Sequence, residues 1–213
     1  IKMGNIYLVR HGKVDGDAAL YGRTDVVVSD NENNRVLKQL ISLNIKPEQV
    51  ISSPLSRCLS LAQLYSAASG ASVHRYAAFK EMAFGDIDGI PFDDLYQVPQ
   101  QWQRLEKFWA DPVQHSLPNA ELLAGFSYRV IHGWNNLLKQ HKDTNSQSTV
   151  VICHGGVIRM ILAHILGVDW RNAAWYTSLK IANGSITTLS FENDQVSVNS
   201  IAVSPCMVEV AQS

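Results

Sequence analysis

Two short apolar runs in this chain stop in the same way. Ile6-Tyr7-Leu8-Val9 runs into Arg10-His11-Gly12, and Thr149-Val150-Val151-Ile152-Cys153 runs into His154-Gly155-Gly156. An unbroken apolar run of four or five residues, β-branched at most positions, reads as a strand buried on both faces, as strands of a parallel sheet are. Segments with helical spacing lie between and beyond the two. Strands alternating with helices predict an α/β fold, a three-layer αβα sandwich around a largely parallel central sheet. In such sheets the working site lies beyond the carboxyl ends of the strands. Both histidines therefore belong at one edge of one sheet.

The rest of the chain fills in that plan. Residues 13–31 are polar and read as a long loop. Apolar residues at 36, 37, 40, 41 and 43 predict a helix from Asn34 to Leu43. Val50-Ile51 reads as a short strand. Ser56 is a candidate N-cap for a helix from Arg57 to about Ser69, with Gly70 as its stop. Val73 to Arg75 reads as another strand. Residues 76–118 carry Pro91, Pro99 and Pro112 with short helical pieces, one near Gln100–Ala110, and read as a small insertion. A long amphipathic helix is expected over about 120–140, and another over about Val157–Leu166, ended by Gly167. Asn183-Gly184-Ser185 and Glu192-Asn193-Asp194 set turns between alternating residues near the end, which predicts a hairpin or small meander. The length suits a single domain over 1–213.

Composition excludes several classes of function. The net charge of −1 lacks the basic surface a nucleic-acid protein uses to neutralise phosphates. No apolar run approaches the ~20 residues of a transmembrane helix, and no signal-peptide pattern precedes the first strand. Cys58, Cys153 and Cys206 are widely spaced with no CxxC, which fits free thiols in a cytoplasmic protein. No HExxH, Cys/His cluster or carboxylate array has the spacing of a metal site, so neither metal nor cofactor is expected.

The residues at the strand ends carry a specific chemistry. Glycines after each histidine let backbone N–H groups approach a ligand, and the helix after Gly155-Gly156 presents its positive end, where anions bind. Arg10 adds a guanidinium beside His11. Arg57, in Ser52-Ser53-Pro54-Leu55-Ser56-Arg57, opens a helix after the Val50-Ile51 strand and so reaches the same edge. Arginine's planar fork matches phosphate oxygens in a way lysine does not. A phosphomonoester's leaving oxygen also needs a proton. Glu81, in Lys80-Glu81-Met82-Ala83-Phe84-Gly85, is the candidate general acid.

Four motifs, LVRHG (8–12), SSPLSRC (52–58), KEMAFGDIDG (80–89) and VICHGGVIR (151–159), resemble those of the histidine phosphatase superfamily, in its phosphoglycerate-mutase-like branch, in the same order and at similar spacing. The resemblance implies the phosphoglycerate-mutase-like fold. It also implies that His11 is phosphorylated, that Arg10, Arg57, His154 and Gly155 hold the phosphoryl group, and that Glu81 moves the proton. Tyr21-Gly22-Arg23-Thr24-Asp25 resembles the α-ribazole-5′-phosphate phosphatases of cobalamin biosynthesis, which makes Tyr21, Arg23 and Thr24 candidate substrate contacts. Pro118-Asn119-Ala120-Glu121 is similar to a family segment that is usually richer in glycine. Lys13, Val14 and Asp15 depart from the Glu-Thr and nearby Asn that many members use to help hold phosphate; Thr24 is the candidate to supply a hydroxyl in their place.

The expected function is hydrolysis of a small-molecule phosphomonoester by a cytoplasmic monomer or homodimer. A mutase of the phosphoglycerate type is the second reading, although the 76–118 stretch is modest and the tail MVEVAQS carries no Lys or Arg. A small phosphatase for another sugar or nucleotide phosphate is a third. A binding module that has lost its chemistry is the remotest, because all five core residues are present. Trp102, Leu105 and Trp109 lie at helical spacing and are read as packing residues rather than a stacking platform for the substrate.

Overall fold

The computed structural model describes residues 3–143, 148–192 and 195–204. Along them run β1 (Met3–Arg10), α1 (Asp30–Ser42), β2 (Gln49–Ser52), α2 (Ser56–Ser69) and β3 (Ser72–Arg75). Two short 3₁₀ turns (Ala77–Phe79 and Gly85–Ile87), α3 (Phe92–Tyr96) and α4 (Pro99–Ala110) follow. The chain continues through α5 (Leu123–Asp143), β4 (Ser148–Cys153), α6 (Gly155–Leu166), α7 (Ala174–Thr177), β5 (Ile186–Glu192) and β6 (Gln195–Val203).

The strands form one sheet in the order β3-β2-β4-β1-β5-β6. The first four are parallel, and the β5–β6 hairpin closes the edge antiparallel to β1. Side chains alternate across the sheet, and the buried residues sort accordingly. Ile6, Leu8, Ile51, Val151 and Leu189 face a core built with α5 and α6. Val9, Val50, Val150, Ile152 and Ile186 face a second core with α1 and α2. The expected αβα sandwich is therefore present, and the central strands are apolar at consecutive positions because both faces are covered. Helix α6 is buried at Val157, Ile158, Met160, Ile161, Leu162 and Ala163. Each fully buried aliphatic side chain contributes roughly 1.5–3 kcal/mol, so the start of this helix rests on a firm base.

Several boundaries differ from the sequence reading for identifiable reasons. Helix α1 begins at Asp30, not Asn34. Ser29 is its N-cap and accepts from Glu32 N, so Ser29-Asp30-Asn31-Glu32 acts as a polar start that apolar spacing does not register. Ser56 is not the N-cap of α2. It is the first helical residue, and its N–H (3.0 Å) and hydroxyl (2.9 Å) donate to the Asp25 carboxylate, which caps the helix from 31 residues away. Helix α5 starts at Leu123 rather than near 120. Among the described residues the C-terminal region makes one hairpin, and Leu179–Ala182 forms no strand. Asn193 and Asp194 of the expected turn, Cys206 and the tail 207–213 lie outside the described residues. Cys58 and Cys153 are buried free thiols. Trp102 and Trp109 pack edge-on against each other, with Tyr96 and Phe92 at either end of the series.

Candidate active site

The parallel strands β1, β4 and β2 are neighbours, and their carboxyl ends converge. Arg10 pairs with Cys153, and Ser52 with Ile152. Backbone bonds continue the sheet one residue further, His11 N to the Cys153 carbonyl at 3.1 Å and Ser53 N to the Ile152 carbonyl at 3.0 Å. Sheet register thus sets His11 beside His154, with ring centroids 5.2 Å apart and planes at 68°.

His11 is buried, and its Nδ1 lies 2.7 Å from the Gly12 carbonyl. A carbonyl can only accept, so Nδ1 carries the hydrogen and the neutral ring keeps its lone pair on Nε2. Burial, and then the adjacent Arg10 charge, push the His11 pKa down to about 3, while the Gly12 carbonyl opposes the shift. At neutral pH the ring is in its nucleophilic form.

His154 is fully buried behind it. Its Nδ1 lies 3.4 Å from Arg57 Nε and its Nε2 2.8 Å from Ser53 Oγ. Guanidinium can only donate, so Nδ1 is the acceptor and Nε2 bears the hydrogen. Burial, the His11 ring and Arg57 hold its pKa well below the usual histidine value. Both ring nitrogens have protein partners, so the expected direct grip of His154 on a phosphoryl oxygen is not free here. The Cys58 thiol, 3.5 Å from the same Nε2, is pushed far up in pKa by burial and is inert at neutral pH.

The two arginines differ sharply. Arg57 is fully buried and has four of its five N–H groups committed within the protein. Nε meets His154, Nη1 donates to the Thr24 carbonyl at 2.9 Å, and Nη2 donates to the Tyr21 and Gly22 carbonyls at 2.8 and 2.9 Å. The two-pronged grip expected of Arg57 is therefore closed off. Arg10 donates from Nη1 to the Ile181 carbonyl, while its Nε is buried without a partner among the described residues. A buried, unpaired charged donor is costly unless a ligand completes it. Gly155, the first residue of α6, adds an N–H that the helix itself cannot satisfy.

Glu81 completes the cluster from the loop after β3. Its Oε1 accepts from Met82 N at 3.0 Å and its Oε2 from Gly156 N at 3.1 Å. A Cβ at Gly156 would stand 2.3 Å from Oε1, so any side chain there displaces this carboxyl group. Gly155 is less constrained, since a Cβ there meets the Arg10 guanidinium only at ordinary contact, 3.5 Å.

The candidate substrate contacts fare differently from the core. The Tyr21 hydroxyl donates to the Asp17 carbonyl at 2.6 Å and that of Thr24 to the Asp88 carbonyl at 3.2 Å. The Thr24 hydroxyl is thus committed to the protein and does not stand in for the missing Glu-Thr contact. Arg23 is exposed. Lys13 points to solvent, with its N–H bonded to Glu32 Oε1, and Val14 bridges to Val28. Asp88, Arg159 and Ser53, each inside one of the four motifs, take up structural roles that the sequence alone does not assign. The Asp88 carboxylate accepts from Gly22, Arg23, Thr24 and Phe84 N–H groups and so ties the 20–25 loop to the loop of Glu81. Arg159 holds the Leu179 carbonyl, two residues from the carbonyl that Arg10 holds.

A buried neutral imidazole, a guanidinium with one unpartnered buried donor, a helix N–H and a carboxyl at one sheet edge are groups that phosphoryl transfer can use. The chain belongs to the histidine phosphatase superfamily (branch 1), whose family model matches residues 6–204. It is 24% identical over 212 residues to a protein named as a phosphoserine phosphatase in Hydrogenobacter thermophilus, covering 91% of this chain and 92% of that one. Its fold is similar to Bacillus stearothermophilus YhfR, at a TM-score of 0.82 and 16% identity over 94% of this chain and 98% of the other. It is also similar to the α-ribazole phosphatase of Shigella flexneri, at a TM-score of 0.74 and 21% identity over 93% and 96%. These two likenesses are of fold. Among the described residues, no helix is long and apolar enough to cross a membrane.

Proposed function

We propose that this chain hydrolyses a phosphomonoester through a phosphohistidine on His11. The observation that carries the reading is the bond between Nδ1 and the Gly12 carbonyl, which puts the lone pair of a buried, neutral ring on Nε2. Nε2 attacks phosphorus in line, the P–O bond to the leaving group breaks, and Glu81 gives that oxygen its proton. Glu81 then takes a proton from water, the water oxygen attacks phosphorus, the N–P bond breaks, and phosphate leaves with the ring restored. Two displacements replace one harder one. Arg10, the Gly155 N–H and the start of α6 face the charge on the equatorial oxygens, and Arg57 and His154 support the cradle from behind.

The substrate we put forward is α-ribazole 5′-phosphate, an intermediate of cobalamin biosynthesis, acted on in the cytoplasm by one domain spanning the chain. The Tyr21–Asp25 segment and the likeness to the Shigella flexneri enzyme support it. The test is a panel of α-ribazole 5′-phosphate, phosphoserine and 3-phosphoglycerate, ranked by kcat/KM for phosphate release. The ribazole ester is expected to lead. Phosphoserine in first place overturns that substrate, and isomerised phosphoglycerate without phosphate release overturns the hydrolase.

A further inference from the structure

The loop that carries Glu81 has no strand to hold it, yet a single side chain outside the four motifs gathers it. Arg129, on α5, uses all five of its N–H groups. Nη1 donates to the Ala78 (2.9 Å) and Lys80 (2.8 Å) carbonyls. Nη2 donates to the Glu81 carbonyl at 3.0 Å and to Glu121 Oε2 at 2.8 Å, and Nε donates to Glu121 Oε1 at 2.7 Å. The guanidinium lies over the Phe126 ring, 4.8 Å from its centroid. Glu121 reaches the far side of the same loop. Its carboxylate accepts from Ala83 N at 3.2 Å, and its own N–H donates to the Ala83 carbonyl at 2.9 Å. Residues 78 to 83 are thus gripped by one ion pair on either side of the acid.

We infer that Arg129, paired with Glu121, is a positioning residue that holds the Glu81 carboxyl where it can protonate the leaving oxygen. The inference rests on the reading of Glu81 as proton donor. Five donors in a fixed fork match three carbonyls and both oxygens of a carboxylate, an arrangement that lysine's three mobile donors cannot reproduce. Without the fork the loop keeps its apolar anchors, Phe79 and Met82, both buried, and loses the constraint on the backbone between them. A misplacement of about 1 Å can cost on the order of 10²-fold in a reaction that depends on orientation.

The experiment is a cycle of Arg129→Met, Glu81→Gln and the double variant. It reads single-turnover phosphorylation by an alkyl phosphate and by p-nitrophenyl phosphate, whose leaving group needs little protonation. Arg129→Met is expected to slow the alkyl ester about 10- to 100-fold, to slow the p-nitrophenyl ester far less, and to add little in the Glu81→Gln background. Arg129→Lys should recover only part of the loss. Equal losses on both esters, or full additivity with Glu81→Gln, overturn the inference and leave Arg129 as a general brace. Equal losses on both esters in Glu81→Gln alone overturn the proton-donor reading beneath it. Glu121→Gln, which leaves the three carbonyl bonds in place, is the second variant should Arg129→Met not fold. It is expected to show the same split between esters at smaller size, and no split in it overturns the inference.

Discussion

The ends of β1 and β2 lie on either side of β4, and each delivers an arginine to the same edge. Arg10 is the last residue of β1 and leaves Nε buried without a partner among the described residues. Arg57 comes five residues after β2 and commits four N–H groups to His154 and to carbonyls of the 21–24 loop. One guanidinium keeps a buried donor with no partner among the described residues; the other is answered by the protein. The difference shows that type and position in a motif do not fix an arginine's task. What fixes it is which acceptors the rest of the chain brings within reach.

Substitution should separate the two. Arg57→Lys takes their donor from the carbonyls of Tyr21, Gly22 and Thr24. It is expected to lower unfolding free energy by about 3–5 kcal/mol, the scale for breaking a buried charge's set of partners, with activity falling alongside. Denaturant titration measures it, and near wild-type stability would return Arg57 to a ligand-binding role. Arg10→Gln should do the reverse. It is expected to reduce kcat/KM by about 2–4 kcal/mol of transition-state stabilisation and leave stability unchanged or higher, since active-site charges are held at a cost to the fold. Parallel losses of stability and rate in Arg10→Gln would erase the contrast.

The loop that Arg57 holds is also tied down by Asp88. Burial raises the pKa of this carboxyl, but the N–H groups of Phe84, Thr24 and Arg23 outweigh burial, and the net shift is downward. Asp88→Asn replaces one accepting oxygen with a donor facing donors. A loss of about 1–3 kcal/mol is expected, visible as faster proteolysis in the 20–25 loop at neutral pH. Unaltered cleavage there would mean that Arg57 alone holds the segment.

The sequence exposed the strand-borne residues of this site and Glu81, and hid the long-range contacts that hold its loops. His11, His154 and Arg10 follow directly from strands whose apolar runs and register are local facts. Arg57 was placed correctly at the edge, but its partners come from residues 33 to 97 positions away, and no local pattern encodes them. Asp25 capping α2 from a distance, and Arg129 gripping the Glu81 loop from α5, are hidden for the same reason. Leu179–Ala182 alternates like a strand but lies where arginines take up its carbonyls. The Ser29–Glu32 helix start was local and readable, and apolar spacing looked past it.

A pH dependence tests the electrostatics of both strand ends. His11 and His154 are neutral in the fold, whereas a histidine in the unfolded chain titrates near 6.5. Below that pH the unfolded chain binds protons that the folded chain refuses, so stability falls as pH drops from about 6.5 toward the folded value near 3 for His11. Each histidine contributes a slope of at most about 1.4 kcal/mol per pH unit. Asp88 acts in the same direction at lower pH, below its unfolded value of 3.8. Urea titrations at pH 7 and pH 5 should show the loss, and His11→Asn should reduce it. An unchanged slope in that variant would mean that His11 titrates in the fold as it does in the unfolded chain.

Attack of His11 Nε2 on phosphorus is the step on which the mechanism depends. Mixing the protein with ³²P-labelled substrate, quenching in base within milliseconds and mapping the modified peptide tests it most directly. One base-stable, acid-labile phosphoryl group on His11, attached at Nε2, is expected, and none in His11→Ala. A phosphoryl group on Ser53, Ser56 or Cys58, or attachment at Nδ1, would contradict it.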